Sequence, residues 1–120
     1  MARQLQLACL CAAWCRLCEA YEPVLAQVGA EFAAEGVDLQ LHWIDIEDEA
    51  ALLGDFDVQT FPTLVLLDEQ QVHFAGPLTP QPETLRRLLR ALLADLAEHR
   101  PAVPIEVEAF AQRLRLRATA

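Results

Sequence analysis

The sequence has no lysine. All nine of its basic residues are arginine, set against 18 acidic residues for a formal net charge of −9. No basic face or run is visible, which excludes the electrostatic footprint of a nucleic-acid binder and favours solubility over contact with phosphate-rich surfaces. An apolar run of bilayer length is missing as well. The longest, Leu7 to Cys15, is about half of the roughly 20 residues that a spanning helix needs. It follows a single Arg3 and lacks a small-x-small cleavage site. It therefore reads as a strand, not a signal peptide, and Leu7-Ala8-Cys9 as part of that strand, not a lipid anchor. Neither nucleic acid nor membrane is expected as a partner, and without an export signal the default compartment is cytoplasmic. Internal repeats and low-complexity blocks are also absent.

What is present is a chain of 120 residues, 54% hydrophobic and 22% charged, a globular composition long enough for a real core. Gln4 to Ala12 is almost wholly apolar, the signature of a central strand covered on both faces. From Cys15 to Glu35 the pattern turns helical, with Leu17, Tyr21, Leu25, Val28 and Phe32 at three- or four-residue spacing and Gly36 ending the run. Pro23 falls inside this helix and is expected to kink it. Val37 to Ile46 reads as a second strand, in which Trp43 packs the core or edge, and Glu47-Asp48-Glu49 opens a short helix through about Leu53. After a polar loop from Gly54 to Thr60, Thr63–Leu67 and Val72–Ala75 form a hairpin that Gly76-Pro77 breaks. Thr79 as N-cap and Pro80 at the first helical position open a last helix with the stripe Leu85, Leu88, Leu89, Leu92 and Leu96, ending near His99.

Residues 1–100 thus read as one α/β domain, and 101–120 as a C-terminal extension with a linker from Pro101 to Pro104. The tail from Ile105 fits two patterns. Val107, Phe110, Ala111 and Leu114 make a helical stripe, while Arg113 to Arg117 alternates like a strand. His42, His73 and His99 fall on separate elements and read as surface residues.

The chemistry concentrates in Trp14-Cys15-Arg16-Leu17-Cys18. Two thiols separated by two residues at a helix start can close into a small disulfide and reopen, and the helix N-terminus favours the thiolate of the first. The order β–α–β–α–β–β–α puts this pair at the carboxyl end of the first strand, where open α/β sheets usually carry their chemistry. Cys9 and Cys11, two apart on one strand, point to the same face. Simple packing explains them; Cys9 as a third redox partner of Cys18, or a four-thiolate metal site with Cys15 and Cys18, are the functional alternatives.

Ala13-Trp14-Cys15-Arg16-Leu17-Cys18, Pro23, Phe61-Pro62-Thr63 and Gly76 together resemble the thioredoxin family over about residues 5 to 98. The resemblance implies a thioredoxin-like α/β fold, with a four-stranded mixed sheet, flanking helices and Pro62 in the cis state. It also implies thiol–disulfide exchange with protein disulfide substrates, without a prosthetic cofactor or metal. Cys15 would attack a substrate disulfide and Cys18 would resolve the mixed disulfide. Trp14, Phe61, Pro62, Thr63 and Gly76 would line the substrate groove, with Trp14 as a packed rim residue the plainer reading. Arg16, Leu17 and Cys9 would tune the pair. Electrons would come from a reducing partner, a reductase or the glutathione system.

The sequence departs from the family's pattern in several places. The usual first strand and helix have no counterpart, which leaves the strand around Leu39 to Asp45 at an exposed edge. Either the tail lies there or two copies meet there as a homodimer. Thioredoxins usually hold a buried aspartate six residues before the first cysteine; Cys9 occupies that position here. Trp43 occupies the position of the lysine often paired with that acid, and Cys11 that of the usual strand tryptophan. Glu22, one turn after Cys18, could substitute as proton acceptor or simply be solvated. A client-binding or maturation module with little general reductase activity stays open beside the enzyme, as does a thiolate metal-binding protein.

Overall fold

The apolar stretch near the N-terminus becomes an inner strand of the sheet. In the computed structural model, which describes residues 3–79, 81–94 and 102–119, β1 (Arg3–Cys11) has a strand on each side. It pairs in parallel with β2 (Val37–Asp45), from Arg3 opposite Val37 to Cys11 opposite Asp45. On its other side it runs antiparallel to β3 (Thr63–Leu67), which pairs antiparallel with β4 (Val72–Pro77). The strand order β2-β1-β3-β4 is the expected four-stranded mixed sheet.

Alternation along β1 divides the core in two. Leu5, Leu7, Cys9 and Cys11 face α1 (Arg16–Ala34) and α3 (Pro82–Ala94). Ala8 and Leu10 face the other way, toward α2 (Ala50–Leu53) and α4 (Ile105–Thr119). The buried stripe of α1 is Cys18, Tyr21, Leu25, Val28 and Phe32. Leu17 is not in it: its side chain is exposed and Cys18 takes the inward position. Pro23 lies inside α1 with its ring toward solvent. Gly36 adopts a φ of +88°, and its N–H reaches the Ala33 carbonyl as the helix closes.

Several boundaries shift from their predicted positions for identifiable reasons. The Asp45 carboxylate accepts the N–H groups of Glu47 and Asp48 at 2.9 and 3.3 Å, holding residues 46–49 in a turn and delaying α2 to Ala50. β4 continues through Gly76 and Pro77, which pair opposite Leu64 and Thr63, so Gly76 lies within the strand and does not end it. α3 starts at Pro82: the Gln81 N–H returns to the Thr79 carbonyl at 2.8 Å and Pro82 takes the first helical position. Leu85, Leu89 and Leu92 are buried as expected and Leu88 is half-buried. Pro80, Leu96, His99 and Pro101 lie outside the described residues. Paired guanidinium contacts fix α3 to α1, from Arg86 to Glu31 at 2.8–3.2 Å and from Arg90 to Glu35 at 3.0–3.1 Å.

Of the two patterns in the tail, the helix forms. Val107, Phe110, Ala111 and Leu114 are buried against Ala8, Leu10, Ile44, Val65 and Leu67. The arginines that alternated like a strand attach this helix to its neighbours. Arg113 donates to the Leu52 and Leu53 carbonyls at 2.7 and 2.9 Å, Arg115 to the Asp68 carbonyl at 2.8 Å, and Arg117 pairs with Glu49. Gly54, at φ +56°, makes room for this: a Cβ there would sit 2.5 Å from the Arg113 guanidinium. α4 therefore covers a face of the sheet, and β2 has no strand partner along its outer edge among the described residues.

His73 is buried, contrary to its reading as a surface residue, because Asp68 pairs with it across the β3–β4 turn at 2.8 Å. The same carboxylate accepts the N–H groups of Gln70 and Gln71, both at 2.8 Å. His42 is half-buried on the α4 face, where burial, then Arg117, holds its pKa below the ordinary histidine range.

Truncating Phe110 to alanine removes the largest side chain of the α4 stripe, and such changes cost about 3–5 kcal/mol. Urea denaturation of Phe110→Ala is expected to show a loss of that order; less than about 1 kcal/mol would mean that α4 is a removable appendage. A second expectation concerns Asp68. Burial acts on its carboxyl most strongly and upward, but the bonds from His73, Gln71 and Gln70 outweigh it and hold the pKa below the ordinary carboxylate value. A depressed folded pKa stabilises above the unfolded value and is lost as pH falls through the folded one. The stability lead of wild type over Asp68→Asn should therefore be full at neutral pH and shrink below the usual carboxylate range. Parallel denaturation curves between neutral and acid pH check this, and a constant gap would contradict it.

Candidate functional site

β1 ends at Cys11, and the chain turns through Ala12, Ala13 and Trp14 into α1, with the Cys15 N–H closing the turn on the Ala12 carbonyl at 3.0 Å. Cys15 is the N-cap of α1, in extended conformation and with its side chain unused for capping. Strand alternation brings Cys9 and Cys11 to the α1 face, while the helical stripe turns Cys18 inward to meet them. All four cysteines lie in one buried cluster.

Within that cluster Cys18 is in disulfide contact with Cys11, the two Cα atoms 6.0 Å apart, and Cys9 Sγ lies 3.4 Å from Cys11 Sγ. Cys15 is a free thiol. The sulfur bonded to Cys18 thus comes from Cys11, at the end of β1 nearest the helix start. The sequence motif predicts Cys15 in that place, with Cys9 as the alternative third partner. Cys15 is also less open than a helix start led one to expect. It is 9% exposed, against 1% for Cys9, Cys11 and Cys18, and is still the most accessible of the four.

Burial, and then the neighbouring Cys15, pushes the Cys9 thiol up to about 12. Cys9 is therefore protonated at neutral pH and contributes an S–H beside Cys11. The Tyr21 hydroxyl is raised by the same causes, burial first and then Cys9. It has no hydrogen-bond partner among the described residues. A carboxylic acid in the position of Cys9 would have been a proton acceptor; at this pKa the thiol is not one.

Around the cluster the other predicted residues fall into two groups. Trp14 is 68% exposed, donates its Nε1–H to Glu47 at 2.9 Å and stands edge-on to Phe61 with ring centroids 5.5 Å apart. The Phe61–Pro62 peptide is cis and Pro62 is buried, its carbonyl accepting the Leu78 N–H at 3.3 Å. Arg16 and Leu17 are exposed on the first turn of α1. Thr63, whose hydroxyl donates to the Thr60 carbonyl at 2.5 Å, and Gly76 instead line a separate cleft of about 250 Å³ with Phe56 and Val58, which shares no lining residue with that of the thiols. The thiols open into a larger cleft of about 480 Å³, lined by Cys15, Cys18, Glu22, Trp43 and Asp45. Of its two readings, core or edge, Trp43 takes the edge: it lies on the outer strand β2 and is a partly exposed wall of this cleft. The four sulfurs do not stand as one ligand set, since two are joined. Among the described residues no group of three or more His, Cys, Asp or Glu side chains is arranged to hold a metal ion.

Sequence reasoning missed Cys11 as the partner of Cys18, and Glu47 and Asp45 as parts of the rim. For Cys11 the signal was present, because it shares a face with Cys9 and stands closer to the helix start. No local pattern announces the Trp14–Glu47 bond, which joins residues 33 apart in sequence.

Residues 2–90 match the Thioredoxin family model. The chain belongs to the thioredoxin family. Over 63 residues it is 35% identical to the thioredoxin-like protein slr0233 of Synechocystis, covering 52% of this chain and 57% of that protein. Over 53 residues it is 38% identical to protein disulfide-isomerase of Gallus gallus, covering 44% of this chain and 10% of that protein. The chain thus spans just over half of one relative's length and a tenth of the other's. The solved structure of the germline-specific thioredoxin Deadhead of Drosophila melanogaster shares the fold. Its TM-score is 0.63 at 18% identity, covering 74% of this chain and 81% of that one. Among the described residues no helix is long and apolar enough to cross a membrane.

The thiolate is the nucleophile, so at pH 8 a thiol titrating near 12 is reactive in only about one molecule in ten thousand. Iodoacetamide treatment of the reduced, folded protein should modify Cys15 well before Cys9, with Cys9 reacting at a comparable rate only in denaturant. Peptide mapping by mass spectrometry checks the order, and equal rates in the native protein would contradict the burial of Cys9.

Proposed function

We propose that this thioredoxin-family protein is a thiol–disulfide oxidoreductase that exchanges a Cys15–Cys18 dithiol with protein disulfides. The observation that carries the reading is the position of the two thiols. Cys15 reaches an open cleft from the N-cap of α1, while Cys18 lies one turn deeper in bonding contact with another sulfur. Cys15, as thiolate, attacks one sulfur of the substrate disulfide and releases the other as a thiol. Cys18 then attacks Cys15 in the mixed disulfide, and the substrate leaves reduced. An extended substrate segment lies against Trp14, Phe61 and Pro62, whose grouping beside the cleft supports that role. Thr63 and Gly76, which line a separate cleft, would take a continuation of the segment. Glu22 and Asp45, on the cleft wall with Cys18, are the carboxylates placed to take the resolving thiol's proton. The oxidised pair is returned to the dithiol by a thiol reductant of the reductase or glutathione class in the cytoplasm.

A second reading has its own observation. Cys18 is engaged by Cys11, and a protein whose resolving thiol is occupied holds a client through Cys15 instead of releasing it. A client-binding or maturation module would use the same groove.

Insulin reduction by wild type, Cys15→Ser and Cys18→Ser separates the two. Catalysed turnover in wild type, lost to background in Cys15→Ser, with a stable insulin adduct on Cys18→Ser, is the expected result. Absence of dithiol-dependent turnover in the reduced wild type would reject the oxidoreductase in favour of the binding module.

A further inference from the structure

The proposed exchange uses two sulfurs and leaves two more in the same cluster without a role. Cys11 closes β1 with its side chain on the α1 face, and Cys18 lies on the inward stripe of α1. Their Cα atoms are 6.0 Å apart, inside the span of ordinary disulfides. Cys15 stands at the N-cap of the same helix, separated from Cys18 by Arg16 and Leu17, and opens on the cleft. One sulfur, that of Cys18, therefore has one partner at the surface and another beneath it.

We infer that Cys11 is a third redox-active residue, which takes Cys18 over from Cys15 and carries the disulfide from the cleft into the core. The inference rests on the oxidoreductase reading above. In the step, Cys11 Sγ attacks Cys18 Sγ as thiolate. The Cys11–Cys18 bond forms as the Cys15–Cys18 bond breaks, and the electron pair leaves on Cys15, which takes up the proton that Cys11 gave up. One disulfide is present before and after, so no outside oxidant or reductant enters.

The structure also distinguishes Cys11 from Cys9. Cys9 Sγ is 3.4 Å from Cys11 Sγ, and it is Cys11 that is bonded to Cys18. Held protonated by its burial, Cys9 donates its S–H to the Cys11 sulfur and steadies the thiolate that must attack. The handover returns Cys15 to the cleft as a thiol while Cys18 stays engaged. The next mixed disulfide on Cys15 then has no resolving thiol until the inner bond is reduced. A single chain thus alternates between turnover, with the inner bond open, and capture, with it closed.

The test is a time course of the reduced wild-type protein oxidised with glutathione disulfide, quenched with N-ethylmaleimide and mapped by mass spectrometry. Trypsin cleaves at Arg16, so Cys18 falls on a different peptide from Cys9, Cys11 and Cys15, and fragment ions place the label among the last three. Early samples should carry a Cys15–Cys18 link with label on Cys11. At equilibrium the Cys11–Cys18 link should exceed it by about tenfold or more, with label on Cys15. In Cys11→Ala, Cys15 should remain blocked throughout; the wild-type course decides the matter even if that variant fails to fold. Insulin turnover is read in parallel. Turnover with a Cys15–Cys18 link that persists to equilibrium overturns the handover and leaves the oxidoreductase standing. A Cys11–Cys18 link that forms with no earlier Cys15–Cys18 species and no turnover overturns the oxidoreductase itself.

Discussion

Everything in this fold is arranged around the burial of β1 on both faces. A strand covered on one side alternates apolar with polar residues; one covered on both has no polar side to offer, and Leu5 through Ala12, apart from Gln6, is accordingly apolar and buried. Two helices must cover one face and two the other. Each fully buried leucine among these residues contributes about 1.5–3 kcal/mol, so the strand becomes the structural reference for the rest of the chain. The parity of its residues then decides chemistry as well as packing. Odd positions meet α1, and two of the odd positions are cysteines.

That parity turns a dithiol motif into a cluster. In an apolar surrounding a thiolate is costly, and a small polarizable thiol is an acceptable core residue. Cys9 is at the limit of this: buried, protonated and close to a sulfur that is already bonded. The cleft lies on the boundary between this interior and solvent. Its acidic rim, Glu22 and Asp45 from α1 and β2, sets carboxylates on the surface beside an interior that has none among the described residues. The open wall beside them is Trp43.

Much of this was legible in the sequence because the signals were local. The helical stripe of α1, the apolar run of β1 and the hairpin follow from patterns a few residues long, and the cis Phe61–Pro62 linkage was implied by the family resemblance alone. The tail was legible only as two competing periods, since Arg113, Arg115 and Arg117 obey a strand's spacing while Val107, Phe110, Ala111 and Leu114 obey a helix's. Burial of the apolar set decided for the helix, and the arginines found carbonyls and a carboxylate around it. His73 was misread because its partner, Asp68, lies across a turn and the pair is buried as a unit. At the site, the exchange motif was legible and the bonded pair was not. Which sulfur meets Cys18 depends on where β1 ends relative to the first turn of α1, a distance that no periodicity encodes.

The arginine-only cation set has a further consequence. The cations that join α3 to α1, and α4 to α2 and to the β3–β4 turn, are all guanidinium groups. A guanidinium keeps its charge across the whole range in which proteins fold. The carboxyls opposite two of them, Glu31 and Glu35, are held below the ordinary range, chiefly by the hydrogen bonds from Arg86 and Arg90. The pairs that join α3 to α1 can therefore be dissolved by acid, as Glu31 and Glu35 protonate, while the bonds from Arg113 and Arg115 to backbone carbonyls have no carboxyl to titrate; neither set is sensitive to base. An ammonium-stapled domain would loosen at both extremes of pH. This one has a single direction of electrostatic failure, and alkaline conditions, which favour thiolate exchange, leave the scaffold that positions the thiols in place.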